Sequence, residues 1–150
     1  MGASRQAGFT LIEVLVVLAV IGLALGIVAG RGPARSPALE AREAAGEVAL
    51  ALRQARGLAI ASNRRVIFVL DVARHAYRVD NGPVRPLPAA LDLAMTAAVG
   101  EAGESRTATG IGFSPDGSSS GGRIRLAAGA VRRVVAVDWL TGRVSVADAP

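Results

Sequence analysis

The chain opens on a short polar leader and then turns apolar without interruption. Residues 1–8, Met-Gly-Ala-Ser-Arg-Gln-Ala-Gly, carry one charge, Arg5. Phe9 to Ala29 is rich in Leu, Val, Ile and Ala, and its one charge is Glu13. As an α-helix this stretch spans roughly 32 Å, the length needed to cross a bilayer core. Residues 30–37, Gly-Arg-Gly-Pro-Ala-Arg-Ser-Pro, then predict a helix break near Pro33–Pro37, because proline removes a backbone donor and clashes with the preceding turn. Ser36 reads as an N-cap with Pro37 at the first helical position. Beyond it the pattern becomes amphipathic. Ala44, Val48, Ala51, Leu52, Ala55, Leu58 and Ala59 recur at helical spacing, with Glu43, Glu47 and Arg53 elsewhere on the wheel, which predicts a second helix over 38–62. Its acids come early (Glu40, Glu43, Glu47) and its arginines late (Arg53, Arg56), an order that complements the helix dipole.

From Val66 the period changes to that of strands. Val66–Leu70 is a short run of β-formers, and Tyr77–Asp80 is placed as its hairpin partner. Residues 81–110 stay open: Pro83, Pro86 and Pro88 favour loop, and Leu91–Val99 fits a strand or a short helical turn. Ile111–Phe113 reads as a strand and Ser114–Gly122 as a loop. Strands are then expected at Arg123–Ala127, Arg133–Trp139 and Arg143–Val146, with Leu140-Thr141-Gly142 turning between the last two. Trp139 is expected to pack in the core or against the sheet, with an exposed partner contact as the alternative. The division is a leader (1–8), a transmembrane or stalk helix (9–29), a break (30–37) and a head (38–150) that is β-rich over 66–147. The fold class is α+β, a helix packed on a C-terminal antiparallel sheet.

Composition narrows the function classes. The 150 residues suffice for one membrane helix and a small domain. There is no Cys, which excludes disulfides, thiolate zinc sites and thiol catalysis. The net charge is +5 and every basic residue is Arg, with a local excess at Arg123, Arg125, Arg132 and Arg133. Such a surface suits acidic partners, anionic headgroups or nucleic acid without choosing among them. Charge bias does not orient the apolar helix: Arg5 precedes it, but Arg31 and Arg35 follow it. A cleavable secretory signal is the competing reading of residues 1–29, although its apolar region is usually shorter and a carboxylate fits it poorly.

No catalytic, cofactor or metal site is predicted. His75 stands alone beside Arg74 and reads as a surface residue of a turn. Ser118–Ser120 lacks the frame of a hydrolase nucleophile. The glycine loop Gly117–Gly122 has no Lys and matches no phosphate-binding pattern, and Asp71, Asp80 and Asp116 do not have the spacing of a calcium loop.

The segment Gly8-Phe9-Thr10-Leu11-Ile12-Glu13-Val14-Leu15, running on through Gly22, resembles the class III signal of type IV pilins and type II secretion pseudopilins. The resemblance implies cleavage between Gly8 and Phe9 by a prepilin peptidase and N-methyltransferase, with methylation of the new Phe9 amine. It also implies an assembly role for Glu13. A carboxylate in an apolar helix costs about 2.5–3.5 kcal/mol at mid-membrane, and pairing with a neighbouring subunit's cationic N-terminus offsets that cost.

Three head segments, Ala59–Val66, Ile111–Ile124 and Val137–Val144, are similar to H-type minor pseudopilins and their FimT-like minor pilin relatives. This implies a structural, non-enzymatic subunit of a type II secretion pseudopilus. Its expected place is the bacterial inner membrane, spanned once, with the head in the periplasm and major and minor pseudopilins as partners. The alternative is a FimT-like minor pilin that binds DNA, with Arg123, Arg125, Arg132 and Arg133 on the nucleic acid's phosphates.

Overall fold

The computed structural model describes residues 10–30, 36–97 and 108–149, without the side chains of 28–30 and 108. The chain divides into two compact units, Met1–Arg35 and Ser36–Pro150.

The first unit contains α1 (Leu11–Gly30). Thr10 caps it: its hydroxyl accepts the Glu13 N–H at 3.4 Å, and its carbonyl accepts from Glu13 and Val14. Every described side chain of α1 is exposed, including Leu11, Ile12, Leu15, Leu18 and Leu23. An apolar surface of that extent needs an apolar environment or a partner. Among the described residues no helix is long and apolar enough to cross a membrane. The apolar stretch read from the sequence starts earlier, at Phe9, and the described side chains of α1 stop at Ile27.

The second unit is the head. Its helix α2 (Pro37–Ser62) begins with Pro37 at the first position, and the Ser36 carbonyl accepts from Leu39 and Glu40; the Ser36 side chain makes no capping bond. It ends at Asn63, whose left-handed φ of 49° lets the Asn63 and Arg64 N–H groups close back onto Ile60 and Ala59. The predicted break between the helices falls largely on 31–35, outside the described residues.

Eight strands follow: β1 (Val66–Asp71), β2 (Ala76–Val79), β3 (Arg85–Pro86), β4 (Asp92–Ala97), β5 (Ala108–Phe113), β6 (Gly122–Ala128), β7 (Val131–Val137) and β8 (Val144–Asp148). They form two antiparallel four-stranded sheets, ordered β3-β2-β1-β5 and β4-β6-β7-β8. This departs from the single sheet expected. The chain leaves the first sheet at β4, returns at β5 and leaves again at β6, so both sheets are laced over one core. Leu70 faces Tyr77 and Phe68 faces Ile111 in the first sheet. Leu93 faces Leu126, and Ile124 faces Val135, in the second.

Both sheets pack on α2. The buried face of α2 is mostly alanine (Ala41, Ala44, Ala45, Ala49, Ala51, Ala55, Ala59), with Val48 and Leu52. Small residues let the sheets approach closely, and the bulk comes from Phe68, Leu70, Ile111, Phe113, Ile124 and Leu126, all fully buried. Each such side chain contributes about 1.5–3 kcal/mol by leaving water.

Three local expectations are corrected. Leu58 is 43 % exposed, because it lies about 120° round the helix from Leu52, at the margin of the buried face. β7 stops at Val137, so Asp138 and Trp139 belong to the following turn, and Trp139 is 66 % exposed rather than packed. His75 is half-buried at φ 48°. Its Nε2 lies 2.9 Å from the Leu91 carbonyl, and its own carbonyl accepts the Leu87 N–H, so it fastens the 87–91 segment to the first hairpin.

Candidate functional site

Two regions carry the residues singled out by the sequence. The first is the start of α1. Gly8 and Phe9 lie outside the described residues. Glu13 sits in the first turn with its side chain exposed, where the partial positive charge of a helix N-terminus favours a carboxylate. The local signal for this placement is Thr10-x-x-Glu13, a capping-box spacing.

The second region brings the three head segments together beside the C-terminal half of α2. Arg56 is the hub. Its Nε donates to the carbonyl oxygen of Gly117, in the loop between β5 and β6, at 3.0 Å. Gly142, in the turn between β7 and β8, packs on the same group: a Cβ there would collide with the Gly117 carbonyl and come 2.8 Å from Arg56 Nε. Gly117 and Gly142 both have left-handed φ, 85° and 62°, which favours glycine at each, and at Gly142 the space left by the Gly117 carbonyl excludes a Cβ as well.

The loop and the turn are also bonded to each other. The Ser119 N–H donates to the Trp139 carbonyl at 2.9 Å, and the Ser119 hydroxyl donates to the Asp138 carbonyl at 3.2 Å. Inside the loop, Asp116 Oδ1 accepts from the Ser118 N–H and hydroxyl. Inside the turn, Asp138 Oδ1 accepts from the N–H groups of Leu140 and Thr141 and from the Thr141 hydroxyl. These bonds hold both carboxyls below the ordinary range: the Ser118 hydroxyl contributes most at Asp116, and the Thr141 N–H contributes most at Asp138. Asp116, Ser118, Ser119 and Asp138 are therefore spent on loop geometry. Among the described residues no cluster of His, Asp and Glu is placed to hold a metal.

The arginine cluster divides. In the ladder, Arg123 pairs with Ala136, Arg125 with Val134, and Ala127 with Arg132. Arg123, Arg125 and Arg132 therefore share the outer face of the second sheet, and all three are exposed. Arg133 stands on the opposite face, opposite Leu126, and pairs with Asp148 at 2.9 Å. Its buried Nε has no hydrogen-bond partner among the described residues. A one-residue step along a strand reverses the face, so Arg132 and Arg133 cannot serve one patch.

The family described as Type II transport protein GspH matches residues 44–142. The chain is also 36 % identical, over 91 % of its length and 80 % of the relative's, to the type II secretion system protein H of Xanthomonas campestris pv. campestris. The chain belongs to the type II transport protein GspH family.

The prokaryotic N-terminal methylation motif matches residues 3–29, which include all of α1 but Gly30. The GspH match ends at Gly142, the glycine seated against Arg56 and Gly117. Two solved structures share the fold. The minor pseudopilin EpsH of Vibrio cholerae superposes with a TM-score of 0.58 at 15 % identity, covering 73 % of this chain and 97 % of EpsH. The type IV minor pilin FimU of Pseudomonas aeruginosa gives 0.56 at 17 % identity, covering 72 % of this chain and 88 % of FimU. The helix-on-antiparallel-sheet head is thus pilin-like.

Proposed function

We propose that this GspH-family chain is a minor pseudopilin of a type II secretion system, a structural subunit of the periplasmic filament that helps export folded proteins across the outer membrane. The observation that carries this reading is the joining, in one chain, of a methylation motif over 3–29 and a GspH head over 44–142. Prepilin peptidase cuts between Gly8 and Phe9 and methylates the Phe9 amine. The apolar segment anchors the chain in the inner membrane, with the head in the periplasm. Major and minor pseudopilins are its partners, and Glu13 meets the cationic N-terminus of a neighbouring subunit. No catalytic role is assigned.

Deleting the gene and measuring export of secreted proteins tests the reading. Loss of export, restored by the intact gene, supports it; normal export with loss of DNA uptake replaces it with the FimT-like alternative. That alternative draws on one observation, the shared face of Arg123, Arg125 and Arg132. Phosphate contacts through these residues predict retention on DNA that falls steeply with salt. No salt-sensitive retention of the purified chain removes it.

A further inference from the structure

The turn between β7 and β8 presents more than the fold requires. Trp139 is 66 % exposed and Leu140 62 % exposed at its tip. Neither fills the core, yet the turn that carries them is held from four directions. The Asp138 carboxylate accepts three bonds from within the turn. The Gly142 N–H returns to the Asp138 carbonyl at 2.9 Å. Ser119 grips the backbone from the neighbouring loop, and Gly142 seats on Gly117 beside Arg56. Two large apolar side chains on a rigid backbone lose little conformational entropy on binding. Exposed Trp flanked by Arg is the composition of an interface hot spot.

Among the described residues, arginines predominate around this tip, beside the Asp138 carboxylate of the turn itself. On one side lies an open cavity of about 490 Å³ lined by Arg53, Arg56 and Arg143. On the other lies a second open cavity, of about 620 Å³, lined in part by Arg123, Asp138, Trp139 and Arg143. Among the described residues no ion pair engages Arg53, Arg56 or Arg143; Arg53 and Arg56 donate instead to the carbonyls of Val144 and Gly117. The Asp138 carboxylate feels Arg143 and accepts three bonds from within the turn. An apolar centre with an arginine rim is the anatomy of a protein interface. A nucleic-acid groove needs a row of stacking platforms along a basic track, and this surface has one aromatic on a protruding turn.

We propose that the Asp138–Arg143 turn is a docking knob for an acidic protein surface in the filament. Trp139 and Leu140 enter an apolar socket on that partner. Arg53 and Arg143 pair with carboxylates at its rim. The inference rests on the pseudopilin reading and adds to it a contact surface and the chemistry of the partner.

The test places p-benzoylphenylalanine at Leu140 in the full chain, in cells assembling the filament, and maps the photo-crosslink by peptide mass spectrometry. The expected product is a crosslink to a filament subunit at a segment holding at least one Asp or Glu beside apolar residues. Trp139→Ala and Arg143→Glu should each reduce its yield by about tenfold, the scale of one hot-spot contact. Reversing the partner's carboxylate to Arg should restore the yield in the Arg143→Glu background. Both positions are exposed, and circular dichroism confirms folding of each variant. A crosslink to lipid or nucleic acid, a yield unchanged by Arg143→Glu, or no crosslink at all overturns the proposal. Co-purification of the chain with the filament is read separately: its loss in every strain would instead sink the pseudopilin reading.

Discussion

The Nε of Arg56 donates to the carbonyl oxygen of Gly117 across 3.0 Å, joining residues 61 apart in the chain. With Gly142 packed on both, this one bond links α2, the crossing from the first sheet to the second, and the β7–β8 turn. The head segments Ile111–Ile124 and Val137–Val144 are thus neighbours in space.

Arg56→Ala should destabilise the head by about 1.5–3 kcal/mol, the range for a hydrogen bond to a charged group. Gly142→Ala should cost about 1–2 kcal/mol from its left-handed φ alone, and more because the Gly117 carbonyl must move. Urea unfolding of the fragment 36–150, which carries its own core, measures both. Unfolding midpoints equal to the parent's would show that the junction is not structural.

Phe113 and Trp139 provide the opposite contrast. Phe113 is fully buried and Trp139 largely exposed. Phe113→Ala should cost about 3–5 kcal/mol, whereas Trp139→Ala should stay within about 0.5 kcal/mol. Trp139 is the only Trp, so its fluorescence should be that of a solvated indole, readily quenched by acrylamide. A shielded, blue-shifted emission from the isolated head would contradict its exposure.

Tyr77 is the only Tyr, and its hydroxyl donates to Glu47 Oε1 at 2.7 Å. Burial, and then the Glu47 carboxylate, push its ionisation well above the ordinary 10.0. The folded state therefore holds the phenolic proton more tightly than the unfolded chain. The stability it lends is complete below pH 10 and is lost as pH rises above it. Phenolate absorbance should stay absent near pH 10.5 and appear together with unfolding. An ordinary titration curve in the folded head would refute this.

Acid acts through Asp116, Asp138 and Asp80, each held below the ordinary 3.8, the last mainly by its hydrogen bond to Arg64. A carboxyl with a lowered pKa stabilises the fold above its unfolded value and loses that contribution as pH falls through the folded one. Stability should therefore be level above about pH 5 and decline below pH 4. Asp138→Asn should flatten that decline; the same pH slope in parent and variant would exclude a role for Asp138.

Glu13→Ala should leave the head's unfolding curve unchanged, since the head is a separate unit, and should reduce incorporation into the filament. Normal incorporation, measured by co-purification, would remove the assembly role from Glu13.

The sequence by itself determined what local chemistry decides. The uniform apolar run after Gly8, the Ala-rich period of α2 and the β-formers of Val66–Leu70 name helix, helix and strand, because each signal lies within one element. It also supplied the family, through residues adjacent in the chain. Only tertiary structure decided how strands pair. Alternation gives each strand a buried face but not a neighbour, so two laced sheets read as one. The two-residue strand β3 was hidden in a proline-rich stretch that pairing alone makes regular, and pairing with β6 decided Leu91–Val99, open between strand and helical turn, as strand β4. Parity across the β6–β7 ladder put Arg133 on the face opposite Arg123, Arg125 and Arg132, a distinction that needs the register. Trp139 looked like core because a large aromatic usually is; β7 ending at Val137 turned it outward. Arg56, Gly117 and Gly142 carried no local sign of belonging together, since the bond that joins them closes only after the whole head has folded.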